Sequence, residues 1–247
     1  NKWVNDKTNG MIPKLHDDNY DKDTIMVLLN ALYMKADWAH KFEGQDTYDR
    51  EFTKADGSTV TVPFMNMFEA YESYIKTEDA EGIMLPYDDG RLAFIALKPG
   101  SGDARGYAAS LTGAKLKEAI AAAKADTFVT VNMPKFSTSY SVYLTDALKA
   151  MGMTDAFDPF LADLSGAGRG VDGPLYISYV FQKVKVDVNE EGTEAAAVTE
   201  IATAEGCALP ADEPIVLTFD KPFVYAIVDT ETGVPLFAGV MENPEAK

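Results

Sequence analysis

The pattern of apolar and polar positions predicts a chain with more strands than helices. Residues 24–35, T-I-M-V-L-L-N-A-L-Y-M-K, form a nearly continuous apolar run between Asp23 and Asp37. Such a length suits a buried strand or a core helix, and periodicity does not separate them. The absence of a charged face favours the strand, and Trp38 and Phe42 follow as core anchors. Residues 51–67 read as a hairpin turning at Asp56-Gly57, with Thr59, Val60, Thr61 and Val62 alternating beyond the turn. Shorter strands are expected at 68–76 and 81–85, then a turn over 86–90. Residues 91–97, R-L-A-F-I-A-L, read as a fully buried strand stopped by Pro99-Gly100. Further strands are expected over 127–136, 176–188, 215–228 and 235–241, the last two separated by a turn at 229–233.

Helical spacing is clearest over 111–124, where Leu111, Ala114, Leu116, Ala119 and Ile120 fall near one face. A second helix is predicted over 139–151 from Leu144, Leu148 and Met151, closed by Gly152. Residues 157–171 are a loop rich in Gly, Asp and Ser. At the start of the chain, Asn9-Gly10 with Pro13 beyond is a helix stop. Only about two turns precede that stop, a marginal length for a helix. The chain is therefore read as beginning partway along a longer helix; a short helix capped by Asn1 is the alternative. Strands and helices do not alternate in βαβ order, and neither a repeat nor a linker divides the chain. The expected class is α+β, with a single domain over residues 1–247.

One stretch departs from this pattern. Asn189 to Pro210, N-E-E-G-T-E-A-A-A-V-T-E-I-A-T-A-E-G-C-A-L-P, is small, polar and alanine-rich, with no aromatic and no basic residue. Long connections without structure of their own are mostly functional or disordered. Taken alternately, Thr193, Ala195, Ala197, Thr199, Ile201 and Thr203 carry no charge, whereas Glu194 and Glu200 fall in the other set with Ala196, Val198, Ala202 and Ala204. A strand made here would turn one uncharged face inward. The alanine content and the Val198–Ile201–Ala202 spacing suit a helix as well, so strand, helix and flexible loop all stay open. Gly192, tolerant of unusual dihedrals, marks the entry.

Composition removes several functions. The 247 residues carry a net charge of −17, which repels phosphate backbones and anionic membranes, so neither nucleic acid nor a membrane is expected as a partner. A single cysteine, Cys207, makes an internal disulfide impossible. No signal peptide is visible. The two histidines, His16 and His40, lie far in sequence from Cys207, and no cysteine-hydrolase pair is expected. Gly100-Ser101-Gly102 lacks the lysine of a phosphate loop. Asp187, Glu190 and Glu191 lack the spacing of a calcium loop and read as a solvated acidic strand end. No catalytic residue, metal or cofactor is expected.

The stretch E-E-G-T-E-A-A-A-V-T resembles the hinge of the serpins, the serine protease inhibitors that trap proteases through a conformational change. Further segments are similar to serpin segments in serpin order: N-A-L-Y-M-K-A-D-W-A-H-K-F, D-G-S-T-V-T-V-P-F-M, L-P-Y-D-D-G, M-P-K-F, L-K-A-M-G-M-T-D-A-F, A-D-L-S-G, D-K-P-F-V-Y and P-L-F-A-G. W-V-N-D-K-T-N-G-M-I-P resembles the second half of the helix that crosses the large serpin sheet. The resemblance covers the C-terminal two-thirds of the fold. It implies a large mixed sheet plus smaller antiparallel sheets, with the N-terminal helical part missing. A sheet edge left open in that way invites self-association through strands, or pairing with the missing N-terminal part.

The resemblance implies a suicide substrate. The protease attacks the reactive-centre loop to form an acyl-enzyme, and the cut loop inserts into the large sheet and distorts the protease. The implied hinge is Glu191, Gly192, Thr193, Glu194, Ala195, Ala196, Ala197, Val198 and Thr199, whose small inward residues would not resist burial. Family spacing from the hinge glycine puts the reactive bond at Gly206–Cys207, with Glu205 or Ala208 involved if the register differs by one. Small residues there suit an elastase-like or subtilisin-like protease rather than a trypsin-like one. The implied sheet-opening region includes Asn30, Trp38 and Gln182, the last replacing a histidine found in many serpins. A glutamine hydrogen-bonds but does not titrate. The expected partner is a target serine protease held covalently, and the expected location is extracellular. The alternatives are a non-inhibitory binding or structural serpin, or an inhibitor of papain-like cysteine proteases. The 247 residues alone are expected not to inhibit.

Overall fold

Turn residues and apolar alternation give the chain thirteen strands among its described residues. The structure is a computed structural model that describes residues 1–15, 20, 22–170, 173–193 and 213–245. Helix α1 (Lys2–Lys7) is followed by β1 (Val27–Tyr33), β2 (Ala36–Asp37), β3 (Tyr48–Thr53), β4 (Thr59–Lys76), β5 (Ala80–Pro86) and β6 (Leu92–Pro99). Helices α2 (Ala104–Ser110) and α3 (Gly113–Ala121) lead to β7 (Ala123–Pro134), β8 (Phe136–Tyr143) and helix α4 (Thr145–Ala150). The chain continues through β9 (Tyr179–Asn189), β10 (Gly192–Thr193), β11 (Ile215–Thr218), β12 (Phe223–Asp229) and β13 (Pro235–Met241). Contacts group these residues into two compact units, Asn1–Met34 with Thr138–Val186, and Lys35–Ser137 with Asp187–Lys247.

In the first unit β1 runs parallel to β9, from Val27 opposite Tyr179 to Tyr33 opposite Lys185. Val4, Met11, Ile12 and Leu15 bury around Phe181, and Phe157, Ile177 and Val180 form a second cluster with Leu144 and Leu148 against it. Helix α1 stops as its sequence predicts, with Asn9 and Gly10 at positive φ (49° and 85°). Asn1 makes no side-chain cap, and its Oδ1 instead accepts from the Leu15 amide. The predicted helix over 139–151 is corrected. Phe136, Thr138, Tyr140 and Val142 alternate with serines, a period of two, and form β8, leaving Thr145–Ala150 as the helix.

The second unit holds an eight-stranded sheet in the order β11-β7-β4-β5-β6-β12-β13, with β3 paired to β4. The hairpin at Asp56-Gly57 forms as predicted, with Thr53 opposite Thr59. Its second strand runs unbroken to Lys76, absorbing the separate strand expected over 68–76. Register shifts at Met67/Ala70 and Glu72/Tyr74, with Glu69 at φ 51°, let so long a strand bend. Ala93 to Leu97 are wholly buried, as the apolar run predicts. The helix expected over 111–124 is shorter and confined to α3, and a separate helix, α2, precedes it where none was expected. The Asp103 side chain caps α2 through the Gly106 amide, Thr112 caps α3, and Ala123 already opens β7. Likewise 215–228 divides into β11, parallel to β7, and β12, antiparallel to β6, around Pro222, which has no amide to donate. Both sheets thus contain a parallel pair beside antiparallel ones, and the class is α+β with mixed sheets.

Candidate functional site

The site is built on a two-residue strand. After Asn189 the chain turns at Glu190–Glu191, and β10 returns with Gly192 opposite Asn189 and Thr193 opposite Val188. The other edge of β10 pairs with β2, Gly192 to Asp37 and Thr193 to Ala36. Both edges of β10 are therefore occupied by backbone. Gly192 is required there: its φ is +152°, and a Cβ would stand 2.1 Å from the Ala36 carbonyl oxygen and 2.7 Å from the Asp37 Cα. Thr193 is fully buried, and its hydroxyl shares a 2.6 Å hydrogen bond with the Tyr87 phenol. Burial pushes the Tyr87 pKa far up, against a smaller opposing effect of Thr193, so the phenol keeps its proton.

The segment 38–42 clasps the turn. The Trp38 amide donates to the Glu191 carbonyl at 2.9 Å, and the Phe42 amide to the Glu190 carbonyl at 3.0 Å. The Trp38 indole Nε1 donates to the Asn189 carbonyl at 2.9 Å. Its ring is stacked on Tyr87 (centroids 4.8 Å, 9° between planes) and meets Phe42 and Phe94 edge-on. Trp38 and Phe42 are the core anchors expected from their sequence setting. His40 points its Nδ1 at the buried Glu72 carboxylate, 2.7 Å away. Burial raises the Glu72 pKa above the ordinary glutamate range, and His40 offsets this in part.

The acidic strand end is not solvated, which corrects the expectation for Glu190 and Glu191. Glu190 takes Lys135 Nζ at 2.7 Å and the Thr47 hydroxyl at 2.8 Å. Burial opposes its charge, but Lys135 and Thr47 outweigh that and hold its pKa below the ordinary range. Glu191 takes Lys41 Nζ at 2.7 Å, and this hydrogen bond raises the Lys41 pKa. Asp187 accepts from the Ser137 hydroxyl. Among the described residues no three His, Cys, Asp or Glu side chains are grouped to hold a metal ion.

Of the residues singled out in the sequence, Glu191, Gly192, Thr193 and Trp38 come together here. Asn30 and Gln182 stand opposite each other on β1 and β9. Glu194, Ala195, Ala196, Ala197, Val198 and Thr199 lie outside the described residues, as do Glu205, Gly206, Cys207 and Ala208. Sequence reasoning assigned no role to Tyr87, Lys135 or Glu72. The first two sit inside L-P-Y-D-D-G and M-P-K-F, segments that carried the family resemblance, and that was their available signal.

The turn at Glu190–Glu191 is thus clasped by residues 38–42, and the two-residue strand after it is paired on both edges. A family model described as Serpin (serine protease inhibitor) matches residues 1–244. An uncharacterized serpin-like protein of Thermococcus kodakarensis is 34% identical over 245 residues, 99% of this chain and 56% of that protein. Iripin-5 of Ixodes ricinus is 36% identical over 247 residues, 98% of this chain and 61% of its own length. Among solved structures, the native state of the thermophilic serpin tengpin superimposes with a TM-score of 0.85 at 36% identity, covering 98% of this chain and 62% of that one. Human thyroxine-binding globulin, solved with thyroxine, gives a TM-score of 0.85 at 28% identity, covering 100% and 63%. The chain belongs to the serpin family, and it spans 56% to 61% of the length of these two curated relatives.

Proposed function

We propose that the protein is a serine protease inhibitor of the suicide-substrate type and not an enzyme, and that residues 1–247 belong to one serpin domain. Serpins are in general protease inhibitors, but the fold also carries a protein whose structure was solved with thyroxine, so the hinge has to support the reading. The observation that carries it is β10: Gly192 and Thr193 are paired on both edges, and Thr193 is buried. If strand alternation continued from Thr193, Ala195, Ala197 and Thr199 would face inward behind it, and none of them is large or charged. Insertion of these residues would bury little that resists burial.

In the proposed sequence the protease serine Oγ attacks the Gly206 carbonyl, the Cys207 amine leaves, and the acyl-enzyme forms. Insertion of residues 194–203 behind β10 then carries the bound protease away from its solvent-exposed geometry before water attacks. Small residues at Gly206 and Cys207 fit the narrow pocket of an elastase-like or subtilisin-like enzyme. Incubation of the full-length protein with an elastase, and separately with trypsin, tests the bond. Sequencing of the released C-terminal peptide is expected to begin at Cys207 with elastase. A start well outside 205–208, or faster inactivation of trypsin than of elastase, overturns the assignment.

A further inference from the structure

We propose that Tyr87 is a positioning residue for the loop: its phenol holds Thr193 in the sheet before cleavage and so sets how readily the following residues insert. The proposal rests on the insertion reading above and names the contact that regulates it. Tyr87 is itself fixed from several sides. Its amide donates to the Leu92 carbonyl, the Ala39 amide donates to the Pro86 carbonyl, the Asp88 amide donates to the Asp37 carbonyl, and its ring lies flat on Trp38. Tyr87 is 1% exposed and Thr193 is 0% exposed, so water does not replace either hydroxyl's partner.

The pairing makes the position of Thr193 a two-sided matter. While β10 is in place, each buried hydroxyl satisfies the other at 2.6 Å. If β10 leaves, the Tyr87 phenol loses this partner. The sheet therefore favours keeping Thr193, and a loop cut further along begins insertion from a strand already started. Removing the phenol reverses this bias, because the Thr193 hydroxyl is then left unsatisfied with β10 in place, and removing the Thr193 hydroxyl cancels it. Removing both abolishes the bias without leaving a buried hydroxyl unsatisfied, so the double variant lies between the parent and Tyr87→Phe.

The test is a cycle of Tyr87→Phe, Thr193→Val and the double variant in the full-length protein, read by amide hydrogen exchange at Thr193, with the Phe94 amide in β6 as control. Tyr87→Phe is expected to speed Thr193 exchange about tenfold or more, the cost of one unsatisfied buried hydroxyl, Thr193→Val less, and the double variant less than Tyr87→Phe alone. With elastase, Tyr87→Phe is expected to shift the outcome from trapped to released protease by a similar factor, and the double variant to restore it in part. Unchanged Thr193 exchange in Tyr87→Phe, an additive double variant, or an equal rise at Phe94 would each overturn the proposal. If the exchange pattern appears but no variant traps a protease, the inhibitor reading falls and the latch stands. If trapping occurs and Tyr87→Phe does not change its yield, the latch falls and the inhibitor reading stands.

Discussion

At Glu72 a carboxylate stands on β4 almost out of water, with the His40 imidazole 2.7 Å away. Burial raises its pKa and His40 pulls it back only in part, so the folded protein holds that proton more tightly than the unfolded chain does. The stability from this group is full below the ordinary glutamate range and is lost as pH rises through the raised folded-state value. Urea midpoints measured across that window are expected to fall with pH in the parent protein and to fall less in Glu72→Gln; identical slopes would contradict this account. The residues that act here were unequally visible in the sequence. Gly192, Thr193 and Trp38 could be found because glycine, small side chains and tryptophan have local meaning. Tyr87 meets Thr193 across 106 positions, and Lys135 meets Glu190 across 55. Local spacing carries no trace of such pairs.

Strand β10 depends on one backbone position. An alanine at 192 would need φ near +152° and would place its Cβ against the Ala36 carbonyl. The dihedral alone costs about 1–3 kcal/mol, and the clash adds to it. Gly192→Ala is expected to free β10 and uncover Trp38, which stacks beside it; Trp3 is already 62% exposed and is removed as Trp3→Phe to clear the background. Acrylamide quenching of Trp38 should rise; unchanged quenching would mean that β10 tolerates a side chain. The elements themselves were largely legible where a run was uniformly apolar, as in β1 and β6, or marked by a turn, as between β3 and β4. Boundaries failed where two signals competed. Leu144, Leu148 and Met151 gave a helical period that overran the serine-alternating β8, and the apolar and alanine positions of 111–124 ran past both the Thr112 cap of α3 and its end at Ala121. Glu69 and the register shifts of β4 have no local signature, so one bent strand read as two.

For the whole molecule, family membership follows from a match over residues 1–244 and from superpositions at a TM-score of 0.85. Membership alone does not decide between trapping a protease and binding a ligand, because the same fold is found in thyroxine-binding globulin. The hinge favours trapping: a small, buried Thr193 sits between two strands, and its turn is tied by Lys135, Lys41 and Trp38. Lys135 and Lys41 at the turn are paired with carboxylates of the same chain, whose net charge is −17. The deciding measurement is a denaturing gel of the full-length protein mixed with an equal molar amount of an elastase. The account predicts a band that survives denaturation, with the mass of the protease joined to the chain as far as Gly206. A cleaved chain beside free, active protease, with no joined band, would contradict it.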